Sequence, residues 1–271
     1  MTPLPARTFK HRYGPWALVT GAAWGMGTEY ARQIGALGLN LVLVDIRGEE
    51  LVRVADEVRR ASGVEVRVVV TDLSREEFIE TLRRETEGVE VGLLVSNAAH
   101  LPVGLFFEQS LADKMKMIDV NCRAPLMLVQ EFGAGMLARR RGGIIMMSSG
   151  SATQGVPYLA SYAATKAYNL VLAESLWDEL RGSGVDVLAL MPGATRTTGF
   201  ERSGAHLERS TLAPLNEPGP TVAEALRMLG RTPSWIPGRR NRWTLTLAAR
   251  LLPRRQLIRI VGSNMRQWYG K

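Results

Sequence analysis

The stretch SYAATKAY, Ser161 to Tyr168, sets Tyr162 and Lys166 four residues apart, the spacing that brings two side chains onto one face of a helix. A free phenol has a pKa near ~10, so only about one in a thousand is ionised at neutral pH. A positive charge beside it stabilises the phenolate. Such a pair could take the proton of an alcohol as hydride leaves for a nicotinamide, or give it to a carbonyl in reverse. An aromatic residue and a cation at this spacing can also be an ordinary helix surface. With six tyrosines and five lysines in 271 residues, however, a chance Tyr-x-x-x-Lys is expected only about 0.1 times. The chemistry further needs a group to hold the reacting oxygen, and Ser149, at the end of GIIMMSS, is the candidate. Serine at a strand end is commonplace, and alone it reads as structural.

The elements that must position these residues are legible as alternating patterns. Short apolar, β-branched runs recur at WALVT (Trp16 to Thr20), LVLV (Leu41 to Val44), VEVRVVV (Val64 to Val70), VGLLV (Val91 to Val95), GIIMM (Gly143 to Met147) and VDVLAL (Val185 to Leu190). Between them, stretches such as LVRVADEVRR and YNLVLAESLWDEL place apolar residues three and four apart, the helical period. Repeated βα units with strands apolar on both faces predict an α/β fold, a Rossmann-type doubly wound parallel sheet with helices on each side. One domain is expected over residues 1–237, followed by a basic tail over 238–271. Residues of the segment from Thr195 to Pro220 read as a long loop with a short helix. A helix around Val222 to Leu229 and a last strand at Ser234 to Ile236 follow.

The first strand runs straight into GAAWGMG, with Gly21, Gly25 and Gly27, and then into the helical pattern TEYARQIGALG. Glycines there let the backbone approach a pyrophosphate, whose charge meets free N–H groups at the helix N-terminus. A tight strand-to-helix turn would use glycines too, but the strand before, the helix after and an acid ending the second strand favour a dinucleotide. That acid is Asp45. A carboxylate there accepts hydrogen bonds from ribose hydroxyls and repels a 2′-phosphate, which favours NAD, with NADP the alternative because Arg47 could counter the repulsion. Asp45 could instead cap the next helix. Asp72, in VVVTDLS, could meet the adenine amino group or equally cap a helix beginning near Ser74.

These residues together resemble the short-chain dehydrogenase/reductase family, from about Trp16 to Met191 and on to Thr197. TGAAWGMG is similar to the family's TGxxxGxG loop, and SNAAH stands where the family has NNAG. Asn121 in VNCRAP matches its helix asparagine. Ser149, Tyr162 and Lys166 match its serine and YxxxK, and PGATRT resembles its PGxxxT. The resemblance implies Asn121, Ser149, Tyr162 and Lys166 as catalytic residues, with Lys166 also gripping the nicotinamide ribose and Asn121 holding a water that relays protons from Lys166. It implies cofactor contacts from Gly21, Trp24, Gly25, Met26, Gly27, Asp45, Asp72, Leu73, Asn97, Ala98, Tyr162, Lys166, Pro192, Gly193, Thr195 and Thr197. It also implies a homodimer or homotetramer. The chain departs from the pattern at Ser96, which replaces the first Asn of NNAG, and at Ala99, which replaces its Gly and whose methyl could press on the cofactor side. Trp24 is bulky at a place where NADP-using relatives often carry a small hydroxyl or basic residue, a further vote for NAD.

Charge and composition narrow the function classes. From Gly238 onward lie eight arginines, Lys271 and no acid, so the first 237 residues carry −1 of the +8 total. A neutral body with a basic tail argues against a nucleic-acid-binding fold, and the tail holds no recognition module. Cys122 is the only cysteine and the three histidines (His11, His100, His206) are scattered, so neither a disulfide nor a metal site is expected. No run is apolar enough to span a bilayer and no signal pattern opens the chain, which points to a cytoplasmic protein. The tail has helix-like stretches on either side of Pro253, with Trp243, Leu247 and Leu251 on one stripe. It could lie on an anionic membrane, cap the substrate cleft or pack on a partner subunit. For substrate, Phe200, Leu207, Leu212 and Leu215 in the loop suggest a small-molecule alcohol or carbonyl with a sizeable apolar body, steroid-like or long-chain. They could equally pack on the body. The competing reading is a catalytically silent NAD(H)-binding regulatory or scaffold protein.

Overall fold

The computed structural model describes residues 4–205 and 215–270; Leu207 and Leu212 of the anticipated substrate loop lie outside the described residues. Six strands follow the apolar runs: β1 (Trp16–Thr20), β2 (Asn40–Asp45), β3 (Val66–Val70), β4 (Val91–Ser96), β5 (Gly142–Met147) and β6 (Val185–Leu190), with a two-residue β7 (Ser234–Trp235). They form one parallel sheet in the order β3-β2-β1-β4-β5-β6-β7. The order reverses between β1 and β4, which opens a crevice at the carboxyl ends of those strands.

Helices cover both faces. These are α1 (Ala6–Tyr13), α2 (Gly25–Ala36), α3 (Gly48–Ser62), α4 (Phe78–Glu85), α5 (Leu111–Ile118), α6 (Ala124–Ala138), α7 (Ala160–Glu179), α8 (Thr198–Glu201), α9 (Pro218–Met228), α10 (Arg239–Leu251) and α11 (Arg254–Tyr269). The double winding shows in β2. Leu41 and Leu43 enter the core beneath α2, α3 and α9, while the alternating Val42 and Val44 enter the core beneath α4, α6 and α7, as the two-residue period of a strand requires. This is the Rossmann-type single domain that the sequence pattern predicts.

Differences from the sequence reading are local and have physical causes. β3 starts at Val66 rather than Val64 because Gly63 ends α3 in the left-handed conformation (φ 68), and the next two residues complete the connection. The last strand stops at Trp235, before Ile236 and Pro237. α9 begins at Pro218 rather than Val222, since proline is accepted in the first turn of a helix. Helix α4 begins at Phe78, not near Ser74. Between α5 and α6 the chain makes a π-helical turn, Asp119–Arg123, which no sequence pattern signalled. The two tail stretches flanking Pro253 are α10 and α11, as anticipated.

No helix among the described residues is long and apolar enough to cross a membrane. Among them no group of three His, Cys, Asp or Glu side chains is placed to hold a metal ion. Leu18, fully buried in β1 between β2 and β4, is expected on replacement (Leu18→Ala) to cost about 2–5 kcal/mol in urea unfolding, from lost burial and the cavity left behind.

Candidate active site

β1 delivers the chain into the glycine loop, and α2 begins at Gly25 with no side chain capping its N-terminus. Uncapped first-turn N–H groups at the positive end of the helix dipole suit a pyrophosphate. The loop is shaped for close approach. Gly21 has φ +66 and a Cβ there would lie 2.8 Å from Ala98 Cα, while a Cβ on Gly27 would run into the Gly21 carbonyl. Asn97 braces this turn from β4: its Nδ2 donates to the carbonyls of Thr20 (2.9 Å) and Gly21 (3.2 Å). Thr20 Oγ1 in turn accepts the N–H groups of Asn97 and Ala98 at 3.0 and 3.1 Å. The Ala99 methyl is exposed. Met26 packs partly against the core and Leu73 buries its side chain under the sheet.

Asp45 ends β2 and is 6% exposed. Its Oδ2 accepts the Ala23 N–H at 3.0 Å, and its Oδ1 accepts the backbone N–H of Arg47 at 3.1 Å and the Arg47 guanidinium at 3.2 Å. The carboxylate therefore locks the glycine loop to the end of β2. The Arg47 guanidinium also lies 3.8 Å from the Trp24 ring centroid, and that of Arg202 lies 4.2 Å from it. Trp24 thus links the glycine loop to the segment after α8. Asp72 caps no helix. Its Oδ1 accepts Ser74 N–H (2.9 Å) and Ser74 O–H (2.7 Å), closing a short turn. Burial works to raise its pKa, but the Ser74 bonds and Lys116, 3.4 Å from Oδ2, outweigh it and hold the carboxyl below its usual range.

Tyr162 and Lys166 stand on one face of α7, with the Lys166 ammonium 5.5 Å from the Tyr162 ring centroid. Lys166 is 2% exposed and donates to the Met147 carbonyl at the end of β5 (2.9 Å). Burial pulls its pKa down to about 8. Burial pushes the Tyr162 hydroxyl up to about 12, against which its hydrogen bond with Ser149 works downward. The lowering of this phenol by Lys166 that the sequence suggests is not among the influences on it: desolvation dominates, Tyr269 adds to it, and Ser149 alone works downward. Ser149 caps the short helical turn Gly150–Thr153, its Oγ accepting from Ser151 N–H at 3.1 Å and bonded to Ser151 Oγ at 2.9 Å.

Asn121 sits in the π-helical turn, fully buried. Its side chain exchanges hydrogen bonds with the His100 backbone (2.8 and 3.0 Å) and donates to Thr165 Oγ1 (3.1 Å). Sequence reasoning missed Asn169, whose Nδ2 donates to the Asn121 carbonyl at 2.9 Å. Its place one turn after Lys166 on the same helix face was the available signal.

The remaining wall comes from the chain after β6. The Pro192 carbonyl accepts Gly150 N–H at 2.9 Å. Thr195 is buried, and its Oγ1 donates to the Gly193 carbonyl at 2.9 Å. Thr197 caps α8 and lies against Gly25. The tail closes on this edge. Asn241 of α10 bonds to Asn216 at 2.8 Å beside Gly193, and Leu245 lies next to Gly150. From α11, Trp268 and Met265 pack with Val156 and Ala163, and Tyr158, Phe200 and Tyr269 join the cluster. Trp268 meets Phe200 edge-on at 5.8 Å, and Tyr269 bonds to Ser203 at 3.2 Å. The other side of α10 leaves Trp243, Leu247 and Leu251 at 62%, 45% and 74% exposure, so one helix serves two environments. Gly27→Ala is expected to displace the Gly21 carbonyl and weaken dinucleotide binding by about tenfold or more, read by fluorescence titration, with thermal unfolding showing that the fold persists.

A model of the short chain dehydrogenase family matches residues 15–208. The chain is 32% identical over 235 residues to 7beta-hydroxysteroid dehydrogenase of Collinsella aerofaciens, covering 86% of this chain and 89% of that protein. It is 34% identical over 184 residues to inactive hydroxysteroid dehydrogenase-like protein 1 of Homo sapiens, covering 67% of this chain; it spans only 56% of that longer relative. In structure it is similar to a chain solved for a study of 7beta-hydroxysteroid dehydrogenase stereoselectivity, with a TM-score of 0.87, 30% identity, and coverage of 93% of this chain and 98% of that one. The parallel sheet with its crevice between β1 and β4, and a family match over most of the length, agree: this chain belongs to the short-chain dehydrogenase family.

Proposed function

We propose that this protein is an NAD(H)-dependent oxidoreductase that interconverts a secondary alcohol and a ketone on an apolar, steroid-like or long-chain body. The observation that carries the reading is the convergence of Ser149, Tyr162 and Lys166 at the carboxyl edge of the sheet, beside a glycine loop open to a dinucleotide. The bound nicotinamide would accept or supply the hydride. Tyr162, with its pKa near 12, keeps its proton through the neutral range and is ready to give it to a carbonyl oxygen. Ser149, which works to lower the Tyr162 phenol, would hold the reacting oxygen beside it. Lys166, near 8, carries its charge below that pH and loses it above, so support of the phenolate fades as pH rises through 8. Asn121 anchors the turn that faces them.

Gly21, Gly25, Met26, Gly27, Asn97 and Ala98 would line the pyrophosphate and nicotinamide ribose, with Pro192, Gly193, Thr195 and Thr197 at the ring. Asp45 and Trp24 support NAD. The Arg47 guanidinium on the Asp45 carboxylate and Arg202 on Trp24 support NADP as the alternative. The aromatic wall of Tyr158, Phe200, Trp268 and Tyr269 supports the apolar substrate, as does the similarity to 7beta-hydroxysteroid dehydrogenase. A catalytically silent NAD(H)-binding regulatory or scaffold protein is the second reading, favoured by the similarity to a human protein named inactive.

Exposed apolar residues on α6 and α7, Leu126, Leu137 and Val171, support a homodimer or homotetramer. A cytoplasmic location with peripheral membrane contact completes the proposal, the contact resting on Trp243, Leu247 and Leu251 among arginines.

Absorbance at 340 nm with a panel of apolar alcohols and ketones tests the activity, each cofactor being offered to wild type and to Tyr162→Phe. Turnover with NAD that falls by about 10³-fold or more in Tyr162→Phe is expected. Tight NAD binding without turnover across the panel would leave the silent reading. For the tail, cosedimentation with phosphatidylserine-containing vesicles is expected for wild type and is expected to be lost in a Trp243→Ser, Leu247→Ser double variant. Failure of the wild type to bind ends the membrane proposal.

A further inference from the structure

Asn169 is 2% exposed and lies one turn beyond Lys166 on α7. Its Nδ2 donates to the Asn121 carbonyl at 2.9 Å and reaches the Met147 carbonyl at 3.5 Å. The Met147 carbonyl is also the acceptor of the Lys166 ammonium, at 2.9 Å. These two carbonyls fix which way the amide points, since exchanging its nitrogen and oxygen would set an oxygen against both. The amide oxygen, Oδ1, is consequently buried with no partner among the described residues. The ammonium has three N–H donors, and one of them is engaged by Met147. Beside each other, then, lie a buried acceptor in need of a donor and a buried cation in need of acceptors.

Among the described residues, nothing else nearby supplies the missing negative end. The titratable side chains acting on Lys166 are Tyr162, on its own helix, and Cys122, on the π-helical turn. Burial pushes the Cys122 thiol up, so neither is an anion at neutral pH, and β5 contributes backbone only. Buried polar groups of this kind are normally satisfied through ordered water.

We propose that Asn169 is a positioning residue for the reaction: it pins the Asn121 carbonyl of the π-helical turn and, through an internal water on Oδ1, holds the Lys166 ammonium charged and directed toward Tyr162. The role rests on the reading of Tyr162 and Lys166 given above, but its test does not need turnover. Full-length protein labelled with 13C-lysine, which has five lysines to resolve, is titrated by NMR as wild type, Asn169→Leu and Asn169→Ala, with Lys166→Arg assigning the resonance. Removing the acceptor is expected to lower the Lys166 midpoint by about one unit. Where a substrate is in hand, the fall of kcat at high pH is expected to move down with it while KM for the dinucleotide holds. A folded Asn169→Leu or Asn169→Ala protein whose Lys166 midpoint stays within about 0.3 unit of wild type overturns the proposal. If leucine prevents folding, the alanine variant decides alone. Absence of turnover in the wild type would count against the oxidoreductase reading and leave the lysine titration to judge Asn169 independently.

Discussion

A lysine buried to 2% exposure, without a carboxylate partner among the described residues, is the constraint around which this site is built. Placing an ammonium in a low-dielectric interior is costly unless dipoles or charges compensate. Here the compensation is dipolar. The end of β5 turns the Met147 carbonyl toward the ammonium, and the π-helical turn brings the Asn121 carbonyl within reach of Asn169, which touches both. The lowered pKa of Lys166 and the raised pKa of Tyr162 have the same origin, since burial disfavours each charged form.

The same economy appears in the cradle. Asp45 hydrogen-bonds Ala23 and pairs with Arg47, Arg47 stacks on Trp24, and Arg202 stacks there too. One carboxylate and one indole therefore connect the end of β2, the glycine loop and the segment after α8. Cation–aromatic contacts of this kind contribute about 0.5–1 kcal/mol each at partly exposed positions. Their larger effect is geometric, because they fix the shape of the loop where a dinucleotide would lie.

The tail shows how a compositional signal can split. Its nine positive charges read as a basic appendage that could lie on a membrane, cap the substrate cleft or pack on a partner subunit. α11 contributes Leu257, Met265 and Trp268 to buried packing, and α10 contributes Asn241, so the body and tail share the wall beside Tyr162. One face of α10, carrying Trp243, Leu247 and Leu251, retains the exposed amphipathic character that the sequence suggested, and α11 adds the exposed Ile260.

The order and type of nearly every element were legible in the sequence, because a parallel sheet buried on both faces imposes continuous apolar runs and helices impose a three-to-four spacing. Gly21, Asp45, Ser149, Tyr162 and Lys166 could be picked out for the same reason: each sits at a strand end or helix position that the local pattern defines. By itself the sequence determined the sheet, its winding and the residue types gathered along its carboxyl edge. What it could not determine were relations between distant segments: Asn169 against Asn121, Arg202 against Trp24, Trp268 against Phe200, and the net direction of the Tyr162 pKa. Tertiary structure alone decided these, because burial and hydrogen-bond partnership depend on which surfaces meet, and no local spacing encodes that.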